Sequence, residues 1–471
     1  MISPNLLAYA VLLAWPFVVW WLYNRLDMAR ALIWTVLGAY MFLPPRTVIN
    51  FPVVPDFDKD TLPVFAAALI TTFHLHKRLQ ILPESWIARI LLVLFVVAPF
   101  VTVLTNADPI PIVFGDDITG MRLYDSVAVV ATQALYVLPM FLARRDLATP
   151  EAMRDLLRAL VVAGLIYSVP MILEARLSPQ LNRWIYGYYQ HDFNQTIRFG
   201  GYRPMVFMPH GLWLAFFAFM CFAASAFFLR EGPAEARPRQ LATMIWLGFA
   251  LYMAKSFSPA AYAMAAVPLI FLVPPRWQIH VASVLAVVVM AYPLLRGAHL
   301  VPVDAIVQFV GGLSDERAWS LQFRLMNEED LLARAAERPW FGWGGYARNF
   351  IHDPITGRTI TVADGAWIIQ IGQFGWLGYA AEFGLFCLPL WLLSREALSR
   401  GAVITPQVAA VALIFGCNLV DLLPNATLVP LTWLMAGALL GHAETLRHAR
   451  KTRALAARVA AGIGGRTRSL I

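Results

Sequence analysis

The sequence predicts an all-α polytopic membrane protein with about 12 or 13 transmembrane helices and one long loop on the outer side. Hydrophobic residues make up 59% of the 471 residues, and the mean hydropathy is +0.62. Charged residues make up only 14%, against about 25% in a soluble domain. Apolar stretches of about 17 to 22 residues recur along the chain, each long enough to cross a hydrocarbon core of about 30 Å.

Thirteen candidate spans follow one another along the chain. The third, fourth and ninth are the least secure, being short or broken by proline, so the predicted total is 12 or 13. The predicted spans are 5–24, 28–45, 60–76, 87–105, 123–143, 153–173, 209–229, 239–255, 259–274, 278–296, 373–394, 404–421 and 427–444.

The basic residues predict the orientation of these spans. Assigning alternate short loops to one side places 22 of the 37 Lys and Arg residues there, including seven in the last 25 residues. Short loops rich in Lys and Arg stay in the cytoplasm. The C-terminus is therefore predicted to be cytoplasmic, and the N-terminus lies outside if all 13 spans are present. The basic C-terminal tail is interpreted as a topology anchor attracted to anionic lipid, which requires no nucleic acid.

This topology divides the chain into four parts. Residues 1–296 form ten helices with a shorter outer loop at 174–208, and residues 297–372 form a long, helical outer loop. Residues 373–445 form the last three helices, and 446–471 form the basic cytoplasmic tail. A loop as long as 297–372 is usually functional. The three cysteines all lie in apolar stretches, so we expect them to be buried hydrophobic residues.

The shorter outer loop carries the first candidate site, in IRFGGYRPMVFMPHG (197–211). Two glycines allow a sharp turn between Arg198 and Arg203, so both guanidinium groups can approach one point. Guanidinium groups bind phosphate oxygens in bidentate fashion and stay charged at neutral pH. The alternative is that these arginines bind lipid headgroups or pair with Asp192 and Glu174. His210 begins the next helix, where a structural role is the alternative to a functional one.

The long outer loop carries the second candidate, in RLMNEEDLLARAAERPWFGWG (324–344). Its charges have helical spacing, which predicts a helix at about 321–337 that ends before Pro339 and a glycine-rich turn. Most of its charged residues, including the Glu-Glu-Asp segment, are predicted to form a solvated face on the membrane surface. Arg324 lies at the apolar edge of the helix and is the candidate functional residue.

A third candidate is Asp364, where the long loop returns to the membrane. It is predicted either to cap the helix that starts at Gly365 or Ala366, or to act as a general base or anchor for a substrate hydroxyl. Glu382 and Asp421 lie in or near spans, where ionisable groups are usually paired or functional. Arg122 is a further cation at the outer start of a span. The sequence contains no convincing metal cluster, phosphate-binding loop or serine-hydrolase motif.

These motifs resemble those of the bacterial O-antigen ligase and O-antigen polymerase superfamily. The family's arginine followed by a Pro-aromatic-Gly-x-Gly segment is similar to Arg324 with ERPWFGWG (337–344). The family's arginine-containing stretch just before a span resembles RPMVFMPHG (203–211), which leads into the span at 209–229, with His210 where the family usually has Asn. Its third motif resembles ADGAWIIQIGQFGWLG (363–378), and the resemblance covers about residues 195–445.

The resemblance implies a metal-independent glycosyltransferase of the GT-C-like, membrane-embedded type, without a cofactor, in the bacterial inner membrane with a periplasmic active face. Its partners would be donor and acceptor oligosaccharides linked to undecaprenyl diphosphate, the lipid bilayer and other polysaccharide-assembly proteins. Arg203 and Arg324 would offset the charge of the leaving diphosphate, Asp364 would be the base or acceptor anchor, and the remaining substrate-binding residues would be Arg198, His210 and Arg122.

Ligases of this family have a His-Asn pair in the third motif, where this chain has Ala363, Asp364 and Gly365. The departure favours a polymerase of O-antigen or exopolysaccharide repeat units. The alternatives are a ligase that transfers the glycan to lipid A core or protein, and a non-enzymatic flippase or transporter of lipid-linked saccharide. A transporter is expected to show internal repeats and polar groups at mid-membrane, and the sequence shows no clear repeat. A non-catalytic membrane scaffold is the third alternative, and it leaves the outward Arg203 and Arg324 unexplained.

Overall fold

The computed structural model describes residues 3–51, 54–198, 200–312, 314–399 and 401–467. Two short antiparallel strand pairs, β1 (Ile49–Phe51) with β2 (Val54–Phe57) and β3 (Ile197–Arg198) with β4 (Gly201–Tyr202), lie in loops. The remaining regular structure is helical. The α-helices in the described ranges are α1 (Leu6–Arg25), α2 (Met28–Phe42), α3 (Leu62–Leu69), α4 (Trp86–Leu104), α5 (Leu123–Asp146), α6 (Pro150–Leu177), α7 (Leu181–Tyr186), α8 (Gly211–Glu231), α9 (Arg237–Met253), α10 (Phe257–Leu272), α11 (Pro275–Gly297), α12 (Val303–Gly311), α13 (Asp315–Ala336), α14 (Ala366–Ala397), α15 (Pro406–Asp421) and α16 (Pro430–Thr467).

A helix lies at every one of the thirteen predicted spans. Within the described part of the chain, seven helices are long and apolar enough to cross a membrane, namely α1, α4, α5, α6, α8, α11 and α14. Four shorter apolar helices accompany them: α2, α3 with the π-helical turn that continues it to His74, α10 and α15. The all-α, multi-pass membrane class is therefore confirmed. Arg400 and Arg468, two of the cytoplasmic-side basic residues, lie outside the described residues.

Ion pairs join three helices at the end of the body that the charge pattern assigns to one side. Arg144 near the end of α5 pairs with Glu444 of α16 at 2.7 Å, and both side chains are buried. Arg450 of α16 pairs with Glu396 near the end of α14 at 2.8 Å. The end of α5, the end of α14 and the middle of α16 therefore lie together, as the predicted directions of these three helices require.

Loops at the opposite end contact one another as well. The backbone N–H of Asn5 donates to Tyr186 O at 3.0 Å, which brings the N-terminus to the 174–208 loop. The guanidinium of Arg348, in the 297–372 loop, donates to Thr119 O and Asp108 O at 2.9 Å each. The two outer loops and the N-terminus therefore lie at one end of the helical body.

Glycines allow a close helix contact between α5 and α16. A Cβ atom at Gly437 would lie 2.2 Å from Met140 O, and one at Gly441 would lie 2.2 Å from Arg144 O. Small residues let helix backbones approach closely in membranes. This contact holds α16, and with it the α15–α16 connection at the outer end, against α5.

Helix α14 starts at Ala366, seven residues before the predicted span at 373. It contains a kink at Gly375, whose φ of 66° is not helical. The predicted span begins close to this kink because Gln370, Gly372 and Gln373 interrupt the apolar pattern on its N-terminal side. The extra two turns bring Asp364 to the surface of the helical body.

Helix α13 ends at Ala336, as Pro339 predicts, and the following turn is docked on the α14 kink. The N–H of Trp376 donates to Pro339 O at 2.7 Å, and the N–H of Gly344 donates to Gln373 O at 2.8 Å. A Cβ atom at Gly342 would lie 2.5 Å from Gln373 C, and one at Gly375 would lie 2.3 Å from Trp340 C. Main chain meets main chain here, and the contact fixes the C-terminal end of α13.

Candidate functional site

A cavity of about 650 Å³ opens at the outer end, between the starts of α8 and α10, the α12–α13 hairpin and the α15–α16 connection. Four cationic side chains line it: Arg198, Arg203, Lys255 and Arg324. The structure therefore brings together three arginines that the sequence singled out, from two loops more than 100 residues apart. Lys255 was not predicted, and it lies in a short connection between two apolar helices.

Arg203 is the most buried of these cations, with an exposed fraction of 9%. Its Nη2 donates to Ser256 Oγ at 3.2 Å, and its Nε has no hydrogen-bond partner among the described residues. The side chain crosses the start of α8 because residue 211 is glycine, whose Cβ would lie 2.3 Å from Arg203 Cδ. The sequence motif thus supplies both the arginine and the space for it.

The electrostatics around Arg203 favour a bound anion. Burial, followed by the charges of Arg198 and Arg324, lowers the pKa of its guanidinium to about 10. Within the described ranges, no carboxylate forms an ion pair with Arg203, and the predicted alternative partner Glu174 instead accepts backbone N–H groups of Leu181, Met205 and Val206. An anion in this cavity would relieve the repulsion between the cations.

Arg324 is held on one edge and open to the cavity on the other. Its Nε lies 3.3 Å from Asp364 Oδ2, and its side chain is 31% exposed. Its Nη1 makes long hydrogen bonds of 3.4 Å to Pro424 O and Asn425 Oδ1. Asp421 orders this connection by accepting hydrogen bonds from Asn425 Nδ2 at 3.0 Å and Thr427 Oγ1 at 2.7 Å. Asp421 therefore acts through the loop that positions Arg324.

Asp364 does not cap helix α14. The residue before the helix is Gly365, and no side chain accepts a hydrogen bond from the first turn. The predicted capping role is therefore wrong, because the Asp364 carboxylate turns away to Arg324. Asp364 remains a candidate base or anchor for a hydroxyl, and its contact with Arg324 adds a third role, which is to orient the arginine.

Glu328 is a carboxyl group of the site that the sequence interpretation missed. It was assigned to a solvated face, yet it is 6% exposed and lines the cavity. Tyr292 donates a hydrogen bond to its Oε2 at 3.2 Å, and burial raises the pKa of Glu328 to about 7. The available signal was spacing, because Leu331 and Ala335 lie one and two turns further along the same buried face.

His210 and Arg122 lie outside the lining of this cavity. The Nδ1 of His210 accepts the N–H of Leu212 at 3.1 Å and so caps α8. Burial, followed by the charge of Arg203, lowers the pKa of His210 to about 3, so the ring is neutral. Arg122 is exposed at the start of α5, where its backbone N–H donates to Asp125 Oδ2 at 2.6 Å. His210 therefore lies close to Arg203 without lining the cavity, and Arg122 does not line it either.

Part of the lining is apolar. Ile306, Phe309 and Val310 of α12 line the cavity together with the cations, and Phe309 is 71% exposed overall. A cavity lined by both cationic and apolar side chains matches an anionic head attached to a hydrocarbon chain.

No protein-family model matches the chain, and no curated protein sequence matches it. Within the part of the chain that the structure describes, no group of three or more His, Cys, Asp and Glu side chains is arranged to hold a metal ion.

Asp364→Asn is expected to lower the rate of any reaction that this site carries out by about tenfold, because it weakens one contact to Arg324 and leaves the guanidinium charged. Raised KM with a nearly unchanged dependence of the rate on pH would identify Asp364 as a positioning residue. Loss of the pH dependence would instead identify it as the base. Initial rates across pH 5 to 9, compared with an exposed control, Asp116→Asn, decide between the two.

Proposed function

We propose that this chain polymerises the oligosaccharide repeat units of a bacterial surface polysaccharide, using donor and acceptor units linked to undecaprenyl diphosphate at the periplasmic face of the inner membrane. The observation that supports the proposal is the cavity whose described lining combines four cations with the apolar side chains of α12. A lipid diphosphate presents that combination of charge and hydrocarbon.

The transfer follows from this placement. An acceptor hydroxyl oxygen forms a bond to C1 of the donor sugar, and the bond between C1 and the diphosphate oxygen breaks. The electron pair leaves with undecaprenyl diphosphate, whose developing charge Arg203 and Arg324 stabilise. The hydroxyl proton passes to a carboxylate of the site and from there to water. Arg198 and Lys255 add to the positive potential that holds the diphosphate.

Two carboxyl groups near the cavity are available to take the proton. Asp364 is paired with Arg324 at 3.3 Å, so its carboxylate already holds the arginine in place. The pKa of Glu328, raised to about 7, is matched to proton transfer at neutral pH. We assign the base to Glu328 and the positioning of Arg324 to Asp364, and the pH experiments separate the two assignments.

Deleting the gene is expected to leave single repeat units on the surface polysaccharide, because initiation and export would continue without polymerisation. Gel analysis of chain length should show long chains restored by the unaltered gene and not by Arg324→Ala. Arg358→Ala, which removes an exposed arginine of the same outer loop, is the matched control and should restore them. Normal long chains in the deletion strain would overturn the proposal.

A further inference from the structure

A second cavity, of about 490 Å³, lies between α4, α5, α14 and α16. Its lining differs in chemistry from that of the arginine-lined cavity, because amide, hydroxyl and carboxyl groups face aromatic rings and none of its described lining residues is Lys or Arg. The residues that matter for the argument are Thr132, Gln133, Gln373, Glu382, Phe374 and Trp433.

Two polar groups of this lining have no partner among the described residues. The Oε1 atom of Gln133 is buried without a hydrogen bond. Glu382 is partly exposed, lines the cavity and forms no hydrogen bond or ion pair with another described residue. A buried amide oxygen without a hydrogen bond costs free energy that a hydrogen-bonding ligand would recover.

The lining matches a saccharide. Sugar rings present hydroxyl groups at their edges, which amides and carboxylates bind as donors and acceptors. They also present C–H groups on their faces, which pack against aromatic rings such as Phe374 and Trp433. A diphosphate would lack a countercharge here, and a purely hydrocarbon ligand would leave Gln133 and Glu382 unsatisfied.

The connection between α15 and α16 forms a partition between the two cavities. Leu423 lines the arginine-lined cavity and Ala426 lines the second, on the same connection between α15 and α16. Ala366 also lines the second cavity, and its N–H donates to Leu422 O at 3.0 Å. Asp364 precedes Ala366 by two residues, at the boundary of the partition.

We propose that the second cavity binds the saccharide of the acceptor, whose hydroxyl attacks the donor held by the arginine-lined cavity across this partition. The assignment of this saccharide as the acceptor rests on the proposed function, whereas the binding of a saccharide rests on the lining of the cavity. The experiment therefore measures binding without requiring transfer.

The experiment is protection of an introduced cysteine from a membrane-impermeant maleimide, with the full-length protein in proteoliposomes. Thr132→Cys reports on the second cavity, and Ser320→Cys reports on the arginine-lined cavity. The three native cysteines are buried, so the unaltered chain gives the background. The probes are undecaprenyl phosphate and the free saccharide released by mild acid from the lipid-linked saccharides of the native cells.

Free saccharide is expected to slow labelling of Thr132→Cys at least fivefold and to leave Ser320→Cys unchanged, and undecaprenyl phosphate is expected to do the reverse. Adding Gln133→Leu should raise the saccharide concentration for half protection about tenfold, because one hydrogen-bonding group is lost. Gln133→Leu should leave the protection of Ser320→Cys by undecaprenyl phosphate unaltered, which would show that the protein remains folded.

Two outcomes would overturn the inference: no protection of Thr132→Cys by saccharide, or its protection by undecaprenyl phosphate. The proposed function is tested separately, by the transfer activity. Saccharide protection in a protein with no transfer activity would reject the polymerase and keep the saccharide site. Transfer activity without saccharide protection would keep the polymerase and reject this site.

Discussion

Arg203→Ala is expected to lower the rate of polymerisation by about 10²- to 10³-fold, the usual effect of removing one preorganised group that stabilises developing charge. The same substitution should leave the thermal stability of the unliganded protein unchanged or higher. Arg203 is buried with two other arginines nearby and without a carboxylate partner among the described residues, so its removal relieves repulsion.

Initial rates with purified lipid-linked repeat units, together with unfolding midpoints in detergent, measure both effects. Arg203→Lys keeps the charge and loses the bidentate fork, so an intermediate rate is expected. Exposed Arg358→Ala serves as the control for the loss of a positive charge. A large drop in the midpoint with Arg203→Ala, parallel to the drop in rate, would assign a structural role to this arginine and contradict the proposal.

Glu328→Gln is expected to lower the rate by about 10²- to 10⁴-fold, the range for loss of a general base. In the unaltered protein, the rate should rise as the pH is raised through about 7, since Glu328 must be ionised to accept the proton. The substitution should abolish this rise. Asp330→Asn, an exposed carboxylate of the same helix, is the control and should retain it.

Glu328→Gln should lower the rate of the reaction and raise the stability of the folded protein at neutral pH. Burial raises the pKa of folded Glu328 to about 7, above its ordinary value of 4.5. The folded state therefore favours the protonated form, and its stability falls as the pH rises from 4.5 through 7. Above pH 7 the penalty approaches about 3 kcal/mol, and Glu328→Gln removes it. The expected result is an inactive Glu328→Gln variant whose gain in stability over the unaltered protein is larger at pH 8 than at pH 5.

A result in which Glu328→Gln keeps both its rate and its pH dependence would contradict the assignment of the base. If Asp364→Asn then removed the pH dependence, the base would be Asp364. The two variants together therefore assign the proton acceptor whichever way the experiment turns out.

The positions of the membrane helices could be predicted from the sequence because a helix in lipid must satisfy its own backbone hydrogen bonds, which makes apolar length a strong signal. The start of α14 could not be predicted this way. Its first turns carry Gln370 and Gln373, which face a cavity inside the protein, and the bend at Gly375 adjoins the predicted start of the span.

Part of the site could also be predicted. Arg203 and Arg324 stood out as cations beside glycine turns, and the structure brings both to one cavity. The contact between Arg324 and Asp364 could not be predicted, because it depends on how two distant segments pack together. Glu328 was misassigned for a related reason, since charged residues on a loop helix are usually solvated and its burial depends on α11 and α14.

The contact between the turn after α13 and the kink in α14 has a consequence for how related chains should vary. Hydrogen bonds between main-chain atoms do not depend on which side chains are present, so Trp340 or Phe341 can be replaced in other species without breaking the Trp376–Pro339 bond. Gly342 and Gly375 have no such freedom, because any side chain there would collide with the opposing main chain. Natural selection should therefore keep these two glycines while the aromatic residues around them drift.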